Sequence, residues 1–155
     1  MRRKNIASPT TIELIAQECL AVRLRMINRA VSRIYDRALR PLGLRVSQMN
    51  ILVAVSQLGP TRQQDVCRVL SLERSTLSRD AERMRAKGWL DAAPGEDART
   101  SMLRITPAGK KLLEKAMPAW DEAQQRAAAL LGENVAAGLG QIVTTLRAKE
   151  PVESR

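Results

Sequence analysis

The run from Thr61 to Gly109 constrains this chain more than any other. Two short helical segments, TRQQDVCRVL and ERSTLSRDAERMRAK, stand in succession with LSL as the turn between them. They are followed by GWLDAAPGEDARTSMLRITPAG, in which Trp89-Leu90 and Met102-Leu103-Arg104-Ile105 read as short strands around a Pro94-Gly95 turn signal.

The second segment, Glu73–Lys87, has two unlike faces. With residues placed every 100°, Leu77, Ala81 and Met84 fall in one narrow arc. The opposite arc holds Ser75, Arg79, Glu82 and Ala86, flanked by Ser78 and Arg83, with Thr76 on the shoulder near the N-terminus. Small hydroxyl residues let a helix backbone approach a groove floor closely. Arg79 can make a bidentate contact with guanine, worth roughly 1–3 kcal/mol of discrimination. The plain alternative is an ordinary solvated helix face. The hairpin adds weight to the first reading. Its tip, PGEDARTS, carries Asp97 and Arg99 two residues apart, a spacing that lets the carboxylate hold the guanidinium in one rotamer for a narrow minor groove. The competing reading is a surface ion pair worth about 0–1 kcal/mol. Helix, turn, polar helix and basic hairpin together form the layout of a winged helix-turn-helix, which implies double-stranded DNA as the partner.

Charge supports this reading. Of the 155 residues, those from 1 to 109 hold nineteen Lys and Arg against ten Asp and Glu, while 110–155 hold seven against six. The excess cation thus lies with the DNA-reading run and the helices ahead of it, where it would steer the protein to phosphates. Phe is absent and there are one Tyr and two Trp, so base stacking on aromatic platforms, as single-strand and RNA binders use, has almost nothing to work with. Histidine is also absent, removing the commonest general base and metal ligand. Cys19 and Cys67 form no CxxC pattern, so no metal or other cofactor is expected, and no nucleophile–base pair marks an enzyme. No apolar run approaches the ~20 residues of a membrane span, and no long apolar stretch follows the basic start MRRKNIASPT, so the expectation is a cytoplasmic protein with no membrane partner.

On either side of the DNA-reading run lie longer helical patterns. Residues 1–11 read as a tail, with Thr10 or Thr11 capping a helix over 12–40. Ile12, Ile15, Cys19, Val22, Met26, Ala30 and Ile34 form one stripe until Pro41 stops the helix. About 29 residues would span about 43 Å, too long for a small domain to cover, which points to a dimer arm. A lobe follows over 45–106. It opens with the helix VSQMNILVAVSQLG, capped by Ser47 and apolar around most of its circumference through Met49, Ile51, Leu52, Val53, Val55 and Leu58, hence buried at the centre. Thr61 is expected to cap the helix after Gly59-Pro60. Thr106-Pro107 restarts helix, and the C-terminal helices occupy 107–149, bent at Pro118 and broken at Gly132, before a tail at 150–155. Gly138–Gly140 reads GLG within an apparent helix with no strand ahead of it, so a nucleotide-binding loop fails its context. The fold class is mainly α with one small β-hairpin.

The run Asp97-Ala-Arg99 followed by Thr106-Pro-Ala-Gly109, after STLSR…MRAKGWL, resembles the MarR family of winged-helix transcriptional regulators. LRPLGLRVSQMNILVAV is similar to the family's first loop and second helix, and the resemblance runs from about residue 12 to 148. It implies a homodimer held by the N-terminal and last two helices, reading a pseudo-palindromic operator with half-sites about 34–36 Å apart. It implies Arg99 in the minor groove oriented by Asp97, Ser75, Thr76, Ser78 and Arg79 facing the major groove, and Thr61, Arg62 and Gln63 at phosphates. It also implies repression relieved by a small lipophilic or anionic effector. Two alternatives stay open: an architectural DNA binder without effector, and oxidant sensing through Cys19. The latter has the family's thiol-sensing branch behind it, but Cys19 sits on the apolar stripe and the only tyrosine, Tyr35, is not nearby. Cys67 reads as core. Arg25, Arg29, Arg33 and Arg37, four residues apart, read as a solvated rim or as a hold for an anion.

Overall fold

The computed structural model describes residues 10–95 and 101–149. The chain divides into two compact units, Met1–Arg33 and Ile34–Arg155. The tails expected at 1–11 and 150–155 lie outside the described residues except for Thr10 and Thr11.

In the first unit, Thr10 caps α1 (Thr11–Glu18) through a capping box. The Glu13 N–H donates to Thr10 Oγ1 at 3.3 Å, and the Thr10 N–H donates to Glu13 Oε2 at 2.7 Å. Two orphan amides of the first turn are thereby satisfied. The Thr10 amide first, and then the Thr10 hydroxyl donating to Oε2 at 3.0 Å, hold the Glu13 carboxyl below its usual range. The helix expected to run unbroken over 12–40 is interrupted at Cys19, whose backbone turns extended at ψ 108°, and resumes as α2 (Leu20–Leu39), whose residues from Ile34 on belong to the second unit. Arg23 bridges the break: its Nε donates to the Gln17 carbonyl at 3.1 Å and its guanidinium pairs with Glu18 at 3.2 Å. One carbonyl at the break, that of Gln17, thus gains a donor. No residue of α1 is buried, and Ile12, Ile15, Leu20, Val22, Leu24 and Met26 are exposed.

The second unit is built around α3 (Val46–Leu58), which buries Gln48, Met49, Ile51, Leu52, Ala54 and Val55. Around it pack α4 (Gln63–Leu70), α5 (Arg74–Ala86), the second strand of the hairpin and α6 (Pro107–Leu131). The expected centre of the lobe is thus correct, although Leu58 is exposed and Val53 half-buried. Without phenylalanine, density comes from aliphatic residues: Leu39, Leu44, Ile51, Leu52, Val55, Val66, Leu77, Met84 and Leu103 are fully buried. Each such side chain stabilises the lobe by about 1.5–3 kcal/mol relative to exposure.

Ser47 does not cap α3. The helix begins one residue earlier, and the Val46 N–H donates to Asp36 Oδ1 at 2.8 Å, a carboxylate supplied by the end of α2. Gln48 Oε1 accepts from the Arg45 N–H at 3.2 Å. Between the two helices, the one-turn 3-10 helix Arg40–Leu42 uses Pro41 where no amide is needed.

Thr61 does not cap α4 either. It is buried, and its N–H and carbonyl exchange bonds with Leu103 at 3.0 and 2.7 Å, forming an isolated bridge beside the hairpin. Arg62 holds the N-cap position instead. Ser71, left-handed at φ 51°, makes the turn into α5.

The hairpin pairs β1 (Leu90–Pro94) with β2 (Ser101–Ile105) antiparallel, in a register running from Leu90↔Ile105 to Pro94↔Ser101. Leu90, Ala93, Leu103 and Ile105 are buried, while Asp91 and Arg104 are exposed. Thr106 then caps α6, accepting from the Gly109 N–H at 3.0 Å and donating to the Gly88 carbonyl at 2.6 Å. Gly109 sits where a Cβ would lie 2.3 Å from the Trp89 carbonyl oxygen and 2.9 Å from Ile105 Cγ1, so only a residue without a side chain lets α6 start against the hairpin base. Helix α6 continues through the exposed Pro118, where water can serve the carbonyl that loses its helical donor, and ends at Gly132 before α7 (Glu133–Lys149). Gly138 and Gly140 lie inside α7.

Candidate nucleic-acid interface

Two adjacent helix starts stand out by what they lack. The N-termini of α1 and α6 are closed by threonine side chains, but α4 and α5 begin at Arg62 and Glu73 with no side-chain cap. First-turn amides at such ends carry partial positive charge and are suited to anionic oxygens. Exposed Arg62 and Arg74 stand at the first residues of these two turns.

Helix α5 presents the face drawn from its sequence. Leu77, Ala81 and Met84 are buried; Ser75, Thr76, Arg79, Glu82 and Arg83 are exposed, and Ser78 is half-buried. Arg79 Nε donates to the Ser75 carbonyl at 3.1 Å, which fixes the guanidinium along the N-terminal half of the helix. Asp80, unexpectedly, is also buried, with Arg83 at 3.6 Å. Of the three residues expected at phosphates, Arg62 is exposed and Gln63 half-buried, whereas the buried Thr61 forms an isolated bridge to Leu103 of β2.

At the base of the hairpin, Asp91 and Arg104 are cross-strand partners paired at 2.8 Å. Hydrogen bonds from Arg104 first, and then from the Ala92 amide, hold the Asp91 carboxyl below its usual range. Asp97 and Arg99 lie outside the described residues. Lys87 ties the C-terminus of α5 to the turn before α3: its Nζ donates to the Gly43 carbonyl at 2.8 Å and stands 4.3 Å from the centre of the Trp89 ring. Neither Asp91–Arg104 nor Lys87 was singled out from the sequence. The former carried a readable signal, since opposite charges in facing strands of a hairpin are ordinary cross-strand partners.

Both thiols are free and half-buried. Cys19 lies at the break between α1 and α2, not mid-stripe on a continuous helix. Burial pushes the Cys67 thiol up, which favours the unreactive protonated form and fits packing. Among the described residues no three His, Cys, Asp or Glu are grouped to hold a metal, and no helix is long and apolar enough to cross a membrane.

Known proteins share this arrangement. A model of the MarR family matches residues 42–100, from just before the lobe's central helix through the first strand of the hairpin. The M. tuberculosis transcriptional regulator MOSR, solved in complex with DNA, is 32% identical with a TM-score of 0.68, covering 84% of this chain and 99% of that one. The chain belongs to the MarR family. Among curated MarR-like relatives, the uncharacterised HTH-type transcriptional regulator YwoH of Bacillus subtilis is 29% identical over 87 residues, 56% of this chain; the match spans only 64% of YwoH's own length. BpsR of Bordetella bronchiseptica, whose DNA binding is described as regulated by 6-hydroxynicotinic acid, shares the fold at a TM-score of 0.76 and 19% identity, covering 90% of this chain and 98% of that one. The winged-helix fold expected from the sequence is therefore the observed one.

Proposed function

We propose that this MarR-family chain is a sequence-specific, double-stranded-DNA-binding transcriptional regulator, a repressor acting as a homodimer on a pseudo-palindromic operator. The observation that carries the reading is the pair of uncapped helix starts at α4 and α5 beside an exposed Ser75, Thr76 and Arg79. In this reading α5 enters the major groove, Arg62, Gln63 and the first-turn amides meet phosphates, and the hairpin tip carries Arg99, oriented by Asp97, to the minor groove. Thr61 has a structural task instead. The MOSR–DNA complex supports DNA as the partner.

Release by a small molecule is the second half of the proposal, supported by the description of BpsR. An effector works only through different affinities for the two states of the protein. Oxidant sensing through Cys19 and effector-free architectural binding remain the competing readings. Selection of duplexes from a randomised library, followed by competition against random DNA, tests the core claim. A regulator is expected to recover an inverted repeat and to prefer it by about 10³-fold or more. Equal binding to every duplex, with a steep salt dependence alone, would leave only the architectural reading.

A further inference from the structure

We propose that Glu82 reads a base: its carboxylate accepts a hydrogen bond from the exocyclic amino group of a cytosine in the major groove. The inference rests on α5 being the helix that enters that groove. Glu82 is exposed and shares the outward arc with Ser75 and Arg79. It is an anion on a helix that also carries Arg74, Arg79, Arg83 and Arg85. The bland fate of such a residue is an ion pair along its own helix, and Arg79 and Arg85, three residues away on either side, are placed to supply one. Neither does. Arg79 Nε is turned back to the Ser75 carbonyl at 3.1 Å, and the neighbouring Arg83 pairs with the buried Asp80 at 3.6 Å. Among the described residues Glu82 makes no salt bridge.

Facing DNA, an unpaired carboxylate is repelled by phosphate oxygens and by the acceptor edges of guanine. It gains only where a donor projects into the groove, and the amino group of cytosine is the donor a glutamate suits. Glu82 lies three residues beyond Arg79, about 4.5 Å along the helix axis, a little more than the roughly 3.4 Å between successive base pairs. Arg79 on a guanine and Glu82 on a cytosine one or two steps away therefore form a compatible pair of contacts. The same carboxylate weakens binding to DNA that offers it no donor, so it separates operator from random sequence by repulsion as well as by attraction.

The test is duplex selection with the wild type, Glu82→Gln and Glu82→Ala, each checked for an unchanged melting curve. The wild type is expected to show one cytosine per half-site, preferred by about tenfold or more. Glu82→Gln should move that preference towards adenine, which an amide pairs bidentately, and Glu82→Ala should flatten it while raising affinity for random DNA. Retention of the wild-type base preferences by both variants overturns the inference, even if their affinity rises uniformly, because the carboxylate then only repels phosphate. A wild type with no base preference at all overturns the DNA-reading proposal along with it.

Discussion

Single side chains in this protein divide into those that reach outward and those that hold the reaching groups still. Arg79 is of the first kind but is steadied by its own helix through the Ser75 carbonyl. Asp91 and Arg104 are of the second, closing the base of the hairpin across the ladder at 2.8 Å. The carboxyl of Asp91 is depressed, so this pair contributes above the ordinary aspartate pKa and is lost as pH falls through the lowered value. Arg99, in the segment between the two strands and outside the described residues, is proposed to supply the minor-groove contact. Arg99→Ala should weaken operator binding at least tenfold, or about 1.4 kcal/mol, with dimerisation unchanged. Fluorescence anisotropy on a labelled operator, beside sedimentation, measures both; unaltered affinity would remove the hairpin tip from the mechanism.

At the level of helices and strands, the start of α6 governs how the hairpin is held. Thr106 caps the helix and binds the Gly88 carbonyl, and Gly109 lets the first turn lie against Trp89 and Ile105. Gly109→Ala puts a Cβ within 2.3 Å of a backbone oxygen that has no rotamer to escape into. The variant should lose about 1–3 kcal/mol of stability, the usual cost of forcing an extra group into a packed place. In a chain of this size that corresponds to a fall in melting temperature of roughly 2–12 °C, read by calorimetry. A melting curve unchanged from wild type would mean that α6 can retreat without cost. The other elements were legible to differing degrees. The arc of α5 was readable from sequence because burial recurs locally at helical spacing, with Asp80 the one exception. The break at Cys19 was not, because no proline or glycine marks it and the Arg23 contacts that accommodate it appear only in the folded chain.

For the molecule as a whole, the notable quantity is apolar surface left uncovered. On α6 and α7, Met117, Leu130, Val135, Ile142, Val143 and Leu146 are exposed, and the first unit leaves Ile12, Ile15, Leu20 and Met26 so. Water-soluble single subunits rarely leave helices this apolar bare. A second copy of the chain is the proposed cover. If the proposed dimer holds, a charge placed on the stripe of α7, Ile142→Glu, is expected to shift the sedimenting species from dimer to monomer and to weaken operator binding at least tenfold, since the proposed operator contact uses two lobes. If Ile142→Glu remains a dimer of wild-type affinity, α7 is not in the interface.

The hairpin, the two lobe helices and the central apolar helix were written into local pattern: period, turn residues and the Thr-Pro start of α6 act over a few neighbours and need no distant partner. Other features depend on groups that the chain brings together only when packed. Asp36 caps a helix ten residues on, Lys87 reaches a carbonyl 44 residues back, and Thr61 is taken from the surface by Leu103. A hydrogen-bonding side chain looks the same in sequence whether it faces water or a remote backbone group. Which of these it meets is decided by packing, because an unpaired polar group costs free energy only once it is buried.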